Sequence, residues 1–284
     1  MGNSGKAIIL RMHPDLPCAG EQALELRSQA LTLLQERDPL AKASAARALL
    51  ARRDALALDT TAMLQPAGPL PGRPARPLLL PALRVPQRSM ASPEGRASLL
   101  HAIAHIEFNA INLALDALWR FPGLPAAYYL DWLQVAGEEA LHFTLLREHL
   151  LSLGHEYGDF PAHDGLWIMT ERTAHDPIAR MALVPRTLEA RGLDATPPLQ
   201  RKFAAAGDAR AVEILGIILR DEIGHVAIGN HWYRWLCERE GLDPVALYPE
   251  LAARYEAPRP RPPFNLAART AAGFSAEELA YLSG

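Results

Sequence analysis

Apolar residues recur every three or four positions along most of this chain, which is the spacing of a helix that buries one face. Between residues 92 and 241, Asp or Ser precedes three of the four long helical runs, Pro125 begins the other one, and Gly follows the ends. The pattern predicts four long helices, at 92–121, 125–154, 176–192 and 208–241. A short extra helix is expected at 196–206. No strand pattern is visible, so the predicted fold class is all-α.

The second and third long helices are separated by an extended connection, residues 154–175. Connections within helical bundles usually have about 2–8 residues. One long crossover allows the second and third helices to run parallel, as in a ferritin-like bundle. We therefore predict a ferritin-like four-helix bundle with one long crossover over residues 92–242.

The segments on either side of the predicted bundle have different characters. Residues 1–62 carry helical patterns at 19–36 and 38–58, which predict an N-terminal helical hairpin. Residues 63–91 are rich in Pro and Arg, and this composition indicates an extended basic strap rather than a helix. Residues 243–284 are expected to form a helical tail, with two short helical pieces at its end, that packs on the bundle.

Composition excludes several classes of protein. The chain has 284 residues, 49% of them hydrophobic, and a net charge of −3, so no global basic field favours nucleic acid. Its two cysteines, Cys18 and Cys237, are far apart, and we interpret them as reduced thiols in a cytoplasmic protein. No apolar run approaches the roughly 18 residues of a membrane span, so no membrane association is expected.

Two Glu-x-x-His blocks carry the candidate chemistry. Glu139 and His142 lie in the second predicted helix, and Glu222 and His225 lie in the fourth. Residues three apart share one face of a helix, so each block presents an oxygen and a nitrogen ligand together.

The first and third predicted helices each supply one further glutamate to this pattern. Glu107 follows apolar neighbours in the first helix, and Glu189 is the single glutamate of the third. Glu107 and Glu139 are 32 residues apart, and Glu189 and Glu222 are 33 apart. These spacings bring all four carboxylates to one height in a bundle of two helical hairpins.

Six such ligands would hold two divalent metal ions, with Fe the most suitable and Mn or Zn as alternatives. Glu138 and Asp221 directly precede the two blocks, and each is expected to orient a ligand imidazole from the neighbouring helix. His105 lies two residues before Glu107 and is expected to face elsewhere. The structural alternative is two exposed Glu–His pairs with two buried, ion-paired glutamates, and it leaves the apolar flanks unexplained.

The ligand pattern resembles the Glu / ExxH / Glu / ExxH signature of the ferritin-like di-iron carboxylate superfamily, over residues 92–241. The chain is more narrowly similar to a bacterial family known as a domain of unknown function, itself distantly similar to the tRNA-modifying di-iron hydroxylases. The segments that carry this similarity are AHIEFNAINLALDALWRF, YGDFPAHDGLW, RTLEARGLDATP and DEIGHVAIGNHWY. The resemblance implies the fold and the metal site and does not identify a substrate.

The crossover contains a cluster of polar and aromatic side chains, and long loops often carry functional residues. Its members are Tyr157, Asp159, His163, Asp164 and Trp167. One interpretation is a substrate mouth at the end of the bundle. The other is a structural loop stabilised by internal hydrogen bonds, and the sequence does not separate the two.

Three classes of function fit these observations. The favoured one is an O2-dependent oxidase or hydroxylase of an organic substrate, either a small molecule or a modified nucleoside, served by an electron donor. A ferroxidase or peroxidase-type iron-handling protein is the second, and a metal-stabilised protein that binds a partner is the third. RNA is a less favoured partner because the chain is acidic overall, and the oligomeric state stays open.

Overall fold

The structure is a computed structural model, and it describes residues 24–283. The beginning of the first predicted helix and Cys18 lie outside these residues. Two helices come first, α1 (Leu26–Gln35) and α2 (Pro39–Ala51). Asp38 precedes α2, and its carboxylate accepts hydrogen bonds from the backbone N–H groups of Leu40 and Ala41, which explains where this helix begins.

The central part of the chain forms the helices of the bundle. They are α3 (Pro93–Arg120), α4 (Ala126–Ser152), α5 (Gly165–Arg172), α6 (Pro177–Leu183), α7 (Ala190–Ala205) and α8 (Ala209–Arg239). The tail adds α9 (Pro244–Arg254), α10 (Leu266–Ala271) and α11 (Ala276–Ser283). Within residues 24–283 there is no β-strand, so the predicted all-α class is confirmed. No helix of this described part is long and apolar enough to cross a lipid bilayer.

Side-chain caps fix where three of the long helices begin, and α4 begins after Pro125 without one. The hydroxyl of Ser92 accepts from the backbone N–H of Gly95 at 3.0 Å, at the start of α3. Asp176 and Asp208 make the equivalent hydrogen bonds at the starts of α6 and α8, each at 2.9 Å. Such caps each stabilise a helix by about 0.5–2 kcal/mol.

The third long helix does not end at Gly192, contrary to the prediction. It runs from α6 through a π-helical turn, Val184–Glu189, directly into α7, so the separate helix expected at 196–206 is the last part of α7. Pro197 has no N–H to donate to the carbonyl of Leu193, which would normally break the helix. That carbonyl accepts instead from the side-chain amide of Asn265 at 3.2 Å. The tail therefore compensates for Pro197, and the helix continues through Pro198 as well.

The crossover contains the helix α5, which the sequence pattern did not predict. Arg180, at the beginning of the third long helix, is buried and pairs with the buried Asp116 of α3. Its guanidinium also donates to the hydroxyl of Thr173, at the end of α5, at 2.8 Å. This one side chain thus fixes α5 and α6 against α3.

The Pro-rich strap is extended except for one 3₁₀ turn, Ala82–Arg84. Its backbone pairs with the crossover, because Leu80 N donates to Ala162 O at 2.8 Å and Ala162 N donates to Leu78 O at 3.0 Å. Arg73 forms an ion pair with Asp164 of the crossover. The strap is therefore held along the surface of the bundle.

The terminal helices share the core with the bundle. Helix α1 packs on α3, and α2 packs on α4. The buried Lys42 of α2 donates from its amine to the side-chain carbonyl of Asn112 on α3. At the other end of the chain, Arg269 of α10 pairs with Asp194 of α7 at 2.7 Å, and both side chains are buried.

Candidate metal centre

The bundle places six acidic and histidine side chains around one region of its core. Glu107 comes from α3, and Glu189 ends the π-helical turn. Glu139 and His142 come from α4, while Glu222 and His225 come from α8. None of the six exposes more than 8% of its surface.

Five of these residues form two groups of three, and Glu139 belongs to both groups. His142 Nδ1 lies 3.3 Å from Oε2 of both Glu107 and Glu139. His225 Nδ1 lies 2.9 Å from Oε1 of Glu139 and 4.0 Å from Oε2 of Glu222. Within each group the candidate ligand atoms are all within 4.8 Å of one another, so either group could hold a metal ion. Glu139 belongs to both and offers a different oxygen to each.

The outer nitrogen of each imidazole contacts an acid on the opposite helix. His142 Nε2 donates to Asp221 of α8 at 3.0 Å, and His225 Nε2 donates to Glu138 of α4 at 2.7 Å. A hydrogen bond of this kind orients an imidazole ring. Nδ1 of each histidine faces the cluster, which is the orientation that a metal ligand would need.

Burial makes this cluster electrostatically expensive for the protein alone. Burial and the charge of Glu139 raise the pKa of Glu107 to about 7 and that of Glu189 to about 8. For His225, burial opposes the charge, but Glu139 and Glu138 outweigh it and raise the pKa well above its usual value. Carboxylates crowded into an apolar core need neutralising positive charge, which a cation or imidazolium groups would supply.

Several carboxylate oxygens of the cluster have no hydrogen-bond partner. Both oxygens of Glu189 and Oε2 of Glu222 are buried and unpaired among the described residues. Burying such groups without a partner costs free energy that proteins ordinarily avoid. A bound cation would coordinate these oxygens, so the donor set fits a metal ion.

The π-helical turn determines where Glu189 lies. The hydroxyl of Thr187 donates to the carbonyl of Ala182, five residues earlier, at 2.8 Å. Pro185 packs directly on Gly229 of α8, where a Cβ atom would come within 2.5 Å of the proline. Turns of this kind occur often at functional sites. The signal for it in the sequence is the proline inside a predicted helix.

A cavity of about 570 Å³ opens onto the cluster, and Glu107, Glu189 and Glu222 line part of it. Most other lining residues are apolar, and they include Ile103, Ala110, Met169, Leu199, Leu215 and Ile218. The size and apolar character are those of a pocket for an organic ligand.

The crossover residues separate into different environments. His163 lines the cavity, and its carbonyl oxygen accepts from His105 Nε2 at 3.2 Å. Tyr157 lies behind this wall, with its hydroxyl 2.8 Å from His105 Nδ1. The other three have partners outside the cavity. Asp164 pairs with Arg73 of the strap. Asp159 accepts from the backbone N–H of Glu156, and Trp167 donates to Glu171.

Two cavity residues were not recognised from the sequence as part of a site. His105 was expected to face away from Glu107, yet both line the cavity because it wraps around α3. Burial lowers the pKa of His105 to about 3, so this imidazole is neutral. Arg191 of α7 is the other, and it lies at the exposed edge. No local pattern marks either residue, since the cavity exists only after the helices assemble.

Comparisons with known proteins agree with the family suggested by the sequence. The family model described as "Protein of unknown function (DUF455)" matches residues 35–280. A protein of Haemophilus influenzae, named "Uncharacterized protein", is 56% identical over 216 residues, which cover 74% of this chain and 75% of that protein. No solved structure matches the chain.

Proposed function

Starting from the fact that the chain belongs to the DUF455 family, we propose that it is a di-iron carboxylate protein that oxidises an organic substrate with O2. The proposal includes membership of the ferritin-like superfamily and a distant relation to the tRNA-modifying di-iron hydroxylases. It also includes a cytoplasmic location, an electron donor as partner, and a substrate that is a small molecule or a modified nucleoside.

The observation that supports an oxidase most is the cavity beside the carboxylates. Glu107, Glu189 and Glu222 form part of the wall of an otherwise mainly apolar space of about 570 Å³. An iron-handling protein needs a polar path for hydrated ions, and apolar walls oppose their entry. A cavity of this kind instead suits an organic molecule held next to the metal ions and shielded from water.

The six residues of the centre would divide between two ions. Glu107 and His142 would serve one ion, Glu222 and His225 the other, and Glu139 would contribute an oxygen to each. Glu189, whose oxygens have no other partner, would complete the set.

Four carboxylates and two imidazoles balance the charge of two divalent ions, and this mixed oxygen and nitrogen set suits Fe, with Mn or Zn as alternatives. Two ferrous ions would supply the electrons that reduce O2 during oxidation of the substrate. The protein's own groups hold the histidines, exclude water and position the substrate.

A test begins with anaerobic loading of Fe(II), followed by exposure to O2 with the oxygen consumption and the iron products recorded. The proposal expects a short consumption of O2 without a mineral, and repeated consumption when a reductant and a substrate are added. Glu139→Gln should abolish this consumption of O2, whereas Glu213→Gln, on the exposed side of α8, should leave it unchanged. Formation of a ferric mineral would favour iron handling, and iron binding with no reaction would favour a metal-stabilised binding protein.

A further inference from the structure

The outer edge of the cavity carries an arginine. Arg191 lines the cavity from α7, and this residue is exposed. Two other lining residues, Val85 of the strap and Pro258 of the tail, have an arginine as an immediate neighbour in the chain. These neighbours, Arg84 and Arg259, are also exposed. Arg191 therefore belongs to the cavity wall itself, and Arg84 and Arg259 stand next to that wall in the chain.

These arginines are not neutralised by nearby acids. Arg84, Arg191 and Arg259 form no ion pair with any carboxylate in residues 24–283. Arg191 Nη1 donates to the backbone carbonyl of Arg261 at 3.0 Å, a contact that keeps the charge and joins α7 to the tail. We call the outer edge of the cavity around Arg191 the arginine rim.

The inner end of the same cavity offers no lysine or arginine among the described residues. Glu107, Glu189 and Glu222 are buried there, while the wall between them and the arginine rim is mainly apolar. An anionic group would lose its hydration at this buried end with no cationic side chain beside it, whereas Arg191 attracts it at the rim. An apolar group gains by leaving water along the wall, at about 25 cal/mol for each Å² buried.

We propose that the cavity binds an amphipathic organic anion, with a carboxylate or phosphate group at the arginine rim and an apolar body directed towards the carboxylate centre. Binding depends on the walls and the rim and requires no metal. The consequence for reactivity rests on the proposed function: the carbon atoms presented to the metal centre belong to the apolar body, and the anionic group stays outside.

The test is calorimetric titration of the metal-free, full-length protein with decanoate, decyl phosphate and decanol. Both anions should bind at least about tenfold more tightly than decanol, which has the same body without charge, and added NaCl should reduce the difference. Tighter binding of decyl phosphate or of decanoate identifies which anion the rim accommodates. Equal affinity for decanol, or no binding of either anion, would overturn the inference.

Three variants locate the binding. Arg191→Gln should weaken the binding of both anions about fivefold or more and leave the affinity for decanol unchanged. Its matched control is Arg47→Gln, an exposed arginine of α2 that does not line the cavity, and it should change nothing. Ile106→Trp adds a ring to a partly exposed cavity residue and should block all three ligands. Binding that survives Ile106→Trp would place the ligand elsewhere.

Three further outcomes separate this inference from its alternatives. A single-stranded RNA oligonucleotide that binds more tightly than both amphiphiles, with the same loss in Arg191→Gln, would overturn the small-molecule assignment. If no amphiphile binds while the protein still takes up two iron ions, the substrate class is wrong and the proposed function stands. If the amphiphiles bind and no iron is taken up, the cavity assignment stands and the proposed function fails.

Discussion

Gly229→Ala provides a direct test of how the fold positions the candidate centre. Gly229 lies on α8, where Pro185 of the π-helical turn packs against its backbone. A Cβ atom added at this position would lie 2.5 Å from Pro185 Cβ and 2.6 Å from its Cγ. Real side chains do not approach so closely, and a proline ring cannot rotate out of the way.

The size of the effect follows from these distances. The turn must withdraw by about 1 Å to restore ordinary contact, and overpacking of this kind costs about 1–3 kcal/mol. Alanine recovers about 0.5–1 kcal/mol because it favours the helical backbone more than glycine does. We expect a net loss of about 1–2 kcal/mol in the free energy of unfolding, together with weaker metal binding because Glu189 ends the displaced turn.

Urea unfolding of the metal-free protein measures the first effect, and anaerobic titration with Fe(II) measures the second. Gly224→Ala is the matched control, since it lies on the same helix with no atom within 4 Å of an added Cβ. The control should be stabilised by up to about 1 kcal/mol and should bind iron normally. If both variants gain stability and bind iron equally well, the assigned role of the π-helical turn is refuted.

Three further predictions concern other contacts. Asp221→Asn should weaken iron binding about 10- to 100-fold in an anaerobic titration, because His142 loses its anionic acceptor, and unchanged affinity would count against that role. Arg180→Met should lower the free energy of unfolding in urea by about 1–3 kcal/mol, because the buried Asp116 loses one of its two ion-pair partners and keeps Arg120. Burial lowers the pKa of Lys42 from 10.5 to about 7, so the unfolded chain binds more protons between these values and stability should rise with pH there. Lys42→Met should remove this rise, as measured by urea unfolding at pH 7 and pH 9.

The sequence predicted the long helices well because their boundaries are set locally. For the first, second and fourth long helices of the bundle, each predicted boundary lies within two residues of the observed one, as with 92–121 against Pro93–Arg120. The second N-terminal helix, predicted at 38–58, ends earlier, at Ala51. Caps such as Ser92 and Asp208 act through the next turn of the chain, so they can be recognised without knowledge of the fold. The clustering of six acidic and histidine residues follows from the spacing within and between those helices.

The features that the sequence did not predict depend on distant partners. The third helix continues past Gly192 and Pro197 because Asn265, far along the chain, supplies the missing hydrogen bond. The π-helical turn depends on a close approach to Gly229, and the helix α5 has only eight residues, too few for a clear period. The cavity has no sequence pattern at all, since its wall combines the strap, the crossover, the bundle and the tail.

The central claim, that two metal ions occupy one carboxylate centre, is tested most directly by anomalous X-ray diffraction at the iron edge. Crystals of the protein loaded with Fe(II) without oxygen should show two anomalous peaks in each chain. One peak should lie between Glu107 and His142, the other between Glu222 and His225, with Glu139 in contact with both. A single peak, peaks outside this cluster, or no peak at full iron supply would contradict the account.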